Sequence, residues 1–224
     1  YTLPPLYPSD MPPKAIQQME AAAAEIFLKG KFLLSLGGDH AVSLGPVQAA
    51  ANIYPDMGVL QIDAHLDLRN HWNGSRFNHA CVMRRVIDDI GLPIVPVGIR
   101  SLSPEEFEFV SENDLRPFFA HQLDPLDLTW IQSVIKALPQ NVYLSIDLDG
   151  LDPSIIPGTG TPEPGGMTYR QLVALIAALG QNKKIVGADI NELAKVPGNR
   201  VSEFTAAKIA QKILVYCLKT SFAE

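Results

Sequence analysis

Asn141-Val142-Tyr143-Leu144-Ser145-Ile146 runs without a break into Asp147-Leu148-Asp149-Gly150. A short apolar run rich in β-branched and aromatic residues, closed by turn residues, reads as a strand buried on both faces, the kind that parallel sheets contain. The pattern recurs along the chain. Leu33-Leu34-Ser35-Leu36-Gly37-Gly38 leads into Asp39-His40, Val59-Leu60-Gln61-Ile62 into Asp63-Ala64-His65-Leu66-Asp67, and Val186-Gly187-Ala188 into Asp189-Ile190-Asn191-Glu192. Pro93 to Gly98 is a further strand candidate.

Helical stretches separate these runs. They are expected over residues 14–29, with Gly30 at the C-terminal stop, and over 43–51 and 83–90. A helix capped by Ser103 carries Glu106 three residues on, and another covers 126–138 with Asp127 or Thr129 as its cap. Thr168 caps a helix to Leu179, and Ser202 caps a last one to about Leu218. Strands alternating with helices predict an α/β fold, a three-layer α/β/α arrangement around a central, mainly parallel sheet. With no linker and no internal repeat, residues 1–224 read as a single domain.

Composition excludes several classes of function. The 224 residues are 47% hydrophobic and 19% charged, which suits a chain with a sizeable core and not a disordered one. The net charge of −6, from 24 acids against 18 bases, argues against a nucleic-acid partner. No apolar run reaches the ~18 residues that cross a bilayer, so no membrane role is expected. Cys81 and Cys217 cannot form a disulfide framework, and a cytoplasmic, reducing location is expected. Cys81 reads as a small buried apolar residue, Trp72 and Trp130 as packing residues, and His71 and His121 as solvated or locally hydrogen-bonded. Trp72 could alternatively line a pocket mouth, and Lys183-Lys184 reads as a solvated turn.

The informative feature is what ends each strand. Open α/β sheets bind ligands beyond the carboxyl ends of their strands. On an extended segment Asp63, His65 and Asp67 share one face at about 6–7 Å spacing, and Asp147 and Asp149 repeat the i, i+2 pattern. If these ends converge with His40, one rim holds four carboxylates and two imidazoles. Four such carboxylates repel one another unless cations neutralise them. Two divalent ions would cancel the formal charge, and oxygen-rich ligation with two imidazoles suits Mn²⁺. Taken singly, Asp-x-His after a strand is an ordinary turn, and Asp149-Gly150 and Asp152-Pro153 are ordinary turn pairs. The joint occurrence at several strand ends is what points to metal.

Gly37-Gly38-Asp39-His40, Asp63-Ala64-His65-Leu66-Asp67 and Ser145-Ile146-Asp147-Leu148-Asp149-Gly150-Leu151-Asp152-Pro153 resemble the three motifs of the ureohydrolase family, which contains arginases, agmatinases, guanidinobutyrases and formiminoglutamases. The resemblance runs from about Leu33 to the last helix, and includes Gly158-Thr159-Gly160-Thr161-Pro162 with Gly165-Gly166. It implies hydrolysis of a guanidinium to urea and an amine at a centre of two Mn²⁺ per chain, with a metal-bridging hydroxide as nucleophile. Carried onto this sequence, one ion is held by His40, Asp63, Asp67 and Asp147. The other is held by His65, Asp63, Asp147 and Asp149, with Asp63 and Asp147 bridging. Glu192 matches the guanidinium-binding glutamate, His79 the proton-shuttling histidine and Thr161 a threonine near the site. Asp149 can also accept a proton or hydrogen bond as the tetrahedral intermediate forms.

The resemblance also implies a homo-oligomer, a trimer or hexamer. Family members usually carry a further segment ahead of the first motif. The chain opens at Tyr1 rather than methionine, and is expected to lack that segment. Asp189-Ile190-Asn191-Glu192 differs from the commoner valine-containing version but keeps the glutamate. In arginases the position two after the second motif is typically an asparagine that reads the amino-acid end of the substrate. Here it is Arg69, which fits poorly with an α-ammonium. The run Asn78-His79-Ala80-Cys81-Val82-Met83-Arg84-Arg85 looks more like agmatinases. A small guanidino substrate is therefore expected, agmatine first, with Arg69 and Asn78 as further substrate contacts. Guanidinobutyrate, arginine and formiminoglutamate are the alternatives, beside a non-catalytic metal-binding member or a single-zinc deacetylase of similar fold.

Overall fold

A computed structural model describes residues 1–218. Pro12 and Pro13 open helix α1 (Pro12–Leu28), where a missing N–H costs nothing because the first turn has no intrahelical partner for it. Strand β1 (Leu33–Leu36) is followed by a 3₁₀ turn at His40–Ser43 and helix α2 (Leu44–Ala51). Then come β2 (Gly58–Ile62), a 3₁₀ turn at His79–Cys81, and α3 (Val82–Arg85), which widens into a π turn at Val86–Ile90. The second half runs through β3 (Ile94–Ile99), α4 (Pro104–Glu112), β4 (Phe118–Phe119), α5 (Trp130–Ala137), β5 (Asn141–Asp147), α6 (Tyr169–Asn182), β6 (Lys184–Asn191) and α7 (Val201–Cys217).

The six strands form one sheet in the order β1-β6-β5-β2-β3-β4, and every pairing is parallel. Strand side chains alternate between two cores, as the pleat requires. Leu60, Ile62, Leu144 and Ile146 pack against Ile131 and Val134 of α5, Leu172 and Leu179 of α6 and Ile209 of α7. Val59, Tyr143 and Val186 pack on the opposite face against Phe27 of α1, Val47 of α2, Met83 of α3 and Phe109 of α4. This is the expected three-layer α/β/α arrangement. From β2 the sheet grows outward through β3 and β4, and from β5 it grows the other way through β6. The β2–β5 junction is thus a topological switch point, where sheets of this kind bind ligands.

Ser103–Glu106 and Thr168–Gln171 form full capping boxes. Three local expectations are corrected. The helix expected from residue 126 begins at Trp130, because Asp127 takes the Thr129 N–H in a turn at 2.9 Å. Ser202 is not a cap: Arg200 holds that position, and the buried Ser202 hydroxyl accepts the Gly158 N–H at 2.8 Å. Lys183 and Lys184 are engaged: Lys183 Nζ donates to the Leu138 carbonyl at 2.7 Å, and Lys184 lies 4.6 Å over the Tyr54 ring as β6 begins. The two-residue edge strand β4 lies outside the expected set. Its Phe118-Phe119 is too short to show a period.

Candidate metal centre

Four strand ends meet at the switch point. Gly37-Gly38 passes the end of β6 so closely that a Cβ on Gly37 would collide with the buried Asn191 side chain and with Val42. That close pass delivers His40, fully buried, beside the carboxylates. Its Nδ1 lies 2.9 Å from Asp67 Oδ2, 3.2 Å from Asp63 Oδ2 and 3.5 Å from Asp147 Oδ2. The His65 Nδ1 lies 3.1 Å from Asp149 Oδ2 and 3.6 Å from Asp63 Oδ1.

Two triads result. Ligand atoms of His40, Asp63 and Asp67 all lie within 4.8 Å of one another, and so do those of Asp63, His65 and Asp149. Asp63 belongs to both, with its two oxygens turned to different imidazoles.

Backbone groups and neighbouring side chains hold the acids. Gln61 Nε2 donates to Asp63 Oδ2 at 2.9 Å, and the His65 N–H to Asp63 Oδ1 at 2.7 Å. The Asp149 N–H donates to Asp147 Oδ1 at 2.9 Å, and the Ala64 N–H to Asp149 Oδ1 at 3.1 Å. Asp67 has φ of 55°, a left-handed conformation unusual for a side-chain-bearing residue. It is clamped on both sides, by the Arg84 N–H on its carbonyl at 3.1 Å and by Glu106 accepting the next N–H, that of Leu68, at 3.0 Å.

The electrostatics are those of a site built for cations. Burial, then the charge of Asp63, pushes Asp67 up to about 7. Burial, then Asp63 and Asp149, drives Asp147 well above the carboxylate range. Burial also works against Asp63, but hydrogen bonds from His40 and His65 outweigh it and hold that acid low. Burial alone would lower His65, yet Asp149 and Asp63 push it to about 11. Raised acids beside raised imidazoles mark a buried cluster of negative charge that calls for positive charge. A pair of divalent cations fits this donor set, satisfying four acids and two imidazoles at once.

The remaining expected residues are Thr161, Glu192, His79, Asn78 and Arg69. Thr161 reaches the centre, its hydroxyl donating to Asp149 Oδ2 at 3.1 Å. Glu192 curls back at φ 63°, with its N–H on the Gly38 carbonyl at 2.7 Å and its Oε1 accepting the His40 N–H at 2.6 Å. Burial raises its pKa, with the His40 N–H working against that. His79 stands at the rim, half exposed, its Nδ1 3.0 Å from Asp39 Oδ2. Asn78 turns its side-chain oxygen to the Ala80 N–H at 3.2 Å as the cap of the His79–Cys81 turn. Arg69 lies 4.2 Å over the ring of Trp72, itself 38% exposed.

Sequence reasoning missed Gln61, Ser145, Glu106 and Arg100. Arg100 donates to the carbonyls of Asp149 at 2.7 Å and Pro164 at 3.1 Å, tying the Thr161 loop to the end of β5. For Gln61 and Ser145 the available signal was a polar residue inside an otherwise apolar strand; Glu106 reads only as a capping residue, and nothing local marks Arg100.

The arginase family model matches residues 4–216. The N(1)-aminopropylagmatine ureohydrolase of Synechocystis sp. is 42% identical over 189 residues, 84% of this chain and 61% of that protein. The agmatinase of Bacillus anthracis is 37% identical over 185 residues, 82% of this chain and 62% of that protein. The chain spans about three-fifths of the length of these curated relatives. The agmatine ureohydrolase of Thermoplasma volcanium superposes with a TM-score of 0.85 at 31% identity, covering 95% of this chain and 71% of that one. With strand ends, shared Asp63 and family match in agreement, the chain belongs to the arginase family.

Proposed function

We propose that this chain, as a single domain, hydrolyses the guanidino group of an aliphatic guanidino amine, agmatine first, to urea and the free amine. The observation that carries the reading is the pair of His–Asp triads sharing Asp63, with the Glu192 carboxylate held beside His40. His40, Asp63, Asp67 and Asp147 would hold one manganese ion, and His65, Asp63, Asp147 and Asp149 the other. Bound divalent metal lowers the pKa of a coordinated water toward about 7, which makes hydroxide available near neutral pH.

The chain's own residues supply the rest. A guanidinium stays protonated at pH 7 and presents paired N–H donors, which a carboxylate accepts in a bidentate fork. Glu192 is fixed for that role from both sides, by its own N–H and by the His40 N–H. Asp149 Oδ2, already accepting from Thr161, can take a hydrogen bond from the reacting group as its carbon becomes tetrahedral. The leaving amine needs a proton. His79, half exposed and paired with Asp39, can pass one in from solvent.

A second substrate, N(1)-aminopropylagmatine, is favoured by one observation: the Synechocystis relative bearing that name is 42% identical, against 37% for the agmatinase of B. anthracis. Arg69, stacked on Trp72, is the cation that a carboxylate-bearing substrate would need freed. The same reading carries a cytoplasmic homo-oligomer, a trimer or hexamer, which sedimentation of the manganese-loaded protein tests.

Urea release is to be measured with agmatine, N(1)-aminopropylagmatine, arginine and guanidinobutyrate at equal concentration. A preference of 10-fold or more for either amine, about 1.4 kcal/mol of transition-state discrimination, supports the reading. Preference for arginine or guanidinobutyrate overturns the substrate, and no urea from any of them, with metal bound, overturns the activity.

A further inference from the structure

One row below the ligands, the sheet carries a line of polar residues that its burial does not lead one to expect. Gln61 of β2, Ser145 of β5 and Asp189 of β6 are register partners across the sheet, and all three are fully buried. Parallel strands covered by helices on both faces are usually apolar throughout. A buried carboxylate in such a position is costly unless it is hydrogen-bonded.

The bonds of this row lead in one direction. Asp189 Oδ1 accepts from the Ser145 hydroxyl at 2.8 Å and from Asn191 Nδ2 at 2.7 Å. Asn191 Nδ2 is also 2.9 Å from the Ser43 hydroxyl. A hydroxyl has one proton to give. Since Ser145 spends it on Asp189, its oxygen is left as an acceptor for the His40 Nε2, 2.9 Å away. The proton on that ring is therefore committed to Nε2. Nδ1, the nitrogen that faces Asp67, Asp63 and Asp147, is the one free to ligate.

We propose that Asp189 is a positioning residue: acting through Ser145, it fixes the hydrogen-bonded Nε2–H of His40 and so sets metal affinity on the His40 side of the centre alone. The inference rests on the two-metal reading above. The His65 imidazole is not tied to Ser145 or Asp189; it meets Asp63 and Asp149, its side chain is 26% exposed, and Gln61 reaches only its backbone carbonyl, at 3.0 Å. Outer partners of metal-bound histidines typically contribute 10–100-fold in affinity.

The test is manganese binding by the whole chain, counted per protomer and titrated, for wild type, Asp189→Leu, Ser145→Ala and Asp189→Asn. Wild type takes up two ions. Asp189→Leu and Ser145→Ala lose affinity for one of them by about 10–100-fold and keep the other. Asp189→Asn stays within about 3-fold of wild type, because Ser145 and Asn191 both donate to one oxygen and the amide oxygen can remain there. Two ions bound by Asp189→Leu with unchanged affinity, or equal weakening of both, overturns the proposal.

A metal-independent readout separates this from failure of the two-metal reading. In the metal-free protein the His40 Nε2–H should give a protected, downfield proton resonance in wild type and Asp189→Asn. It should be absent in Ser145→Ala and Asp189→Leu. A wild type that binds fewer than two ions but shows this pattern removes the two-metal reading and leaves the relay standing. A wild type without the resonance overturns the relay, whatever it binds.

Discussion

The two halves of the centre are built by different means. His40 is sealed in the interior, and its far nitrogen is tied by side chains to β5 and β6. His65 sits at the open side, and its half is organised mainly through backbone groups: the Ala64 N–H on Asp149, the Asp149 N–H on Asp147, and the Asp149 carbonyl, which takes the Arg100 guanidinium. Side-chain relays cross strands, so they depend on sheet register. Backbone supports lie within a few residues of what they hold or use the chain's close passage at the switch point. One shared acid, Asp63, joins these two kinds of order.

The largest effect expected is from breaking the join. Asp63→Ala removes a ligand from both triads, and metal analysis should find neither ion retained and urea release abolished. Retention of one ion would mean that Asp63 serves one half only. Next is the group that should be indifferent to the comparison. Glu192→Gln keeps the shape but removes the negative charge that faces a guanidinium and turns one acceptor oxygen into a donor. Removing one partner of a buried charge pair costs roughly 2–5 kcal/mol, and the low end applies to the part-buried Glu192. Urea release should fall by at least about 30-fold with two ions still bound. A loss of metal instead would place Glu192 among the ligands.

Chelation sharpens the contrast more gently. Metal bound only to the native state adds RT ln(1 + [L]/Kd), about 2.7 kcal/mol at 100-fold excess over Kd. The manganese-loaded chain should melt several degrees above the chelated one. Equal melting curves would count against any native metal site.

The smallest effect lies at the rim. The Asp39 carboxylate raises the His79 pKa above 6.5, with partial burial working against it. The raised value means that the pair's contribution is fully present below the unfolded value near 6.5. It is lost as pH climbs through the higher folded one. Asp39→Asn should return the His79 titration, followed by ring-proton NMR in the metal-free chain, toward 6.5. An unmoved titration would show that Asp39 does not govern His79.

Much of this arrangement is legible in sequence because acids and histidines clustered at strand ends are short-range signals. Asp63-Ala64-His65-Leu66-Asp67 and Asp147-Leu148-Asp149 each carry their own spacing. The relay is not legible in that way. Gln61, Ser145 and Asp189 are far apart in the chain and meet only through the register of β2, β5 and β6. Asp189 reads as one more strand-end acid, whereas the structure turns it to Ser145 and leaves it out of both His–Asp triads. Ser202 reads as a cap for the same reason: its partner, Gly158, lies on another segment. The left-handed turns at Asp67 and Glu192 carry no glycine to announce them. They are imposed by Glu106 on one side and by the Gly38 carbonyl on the other.

The central claim is that one shared carboxylate joins two separable metal positions. The most direct measurement is the manganese content of wild type, His40→Ala, His65→Ala and Asp63→Ala after dialysis against the same free manganese. Two ions, one, one and none are predicted in that order. If either histidine variant loses both ions, or Asp63→Ala keeps one, the halves are not joined as described.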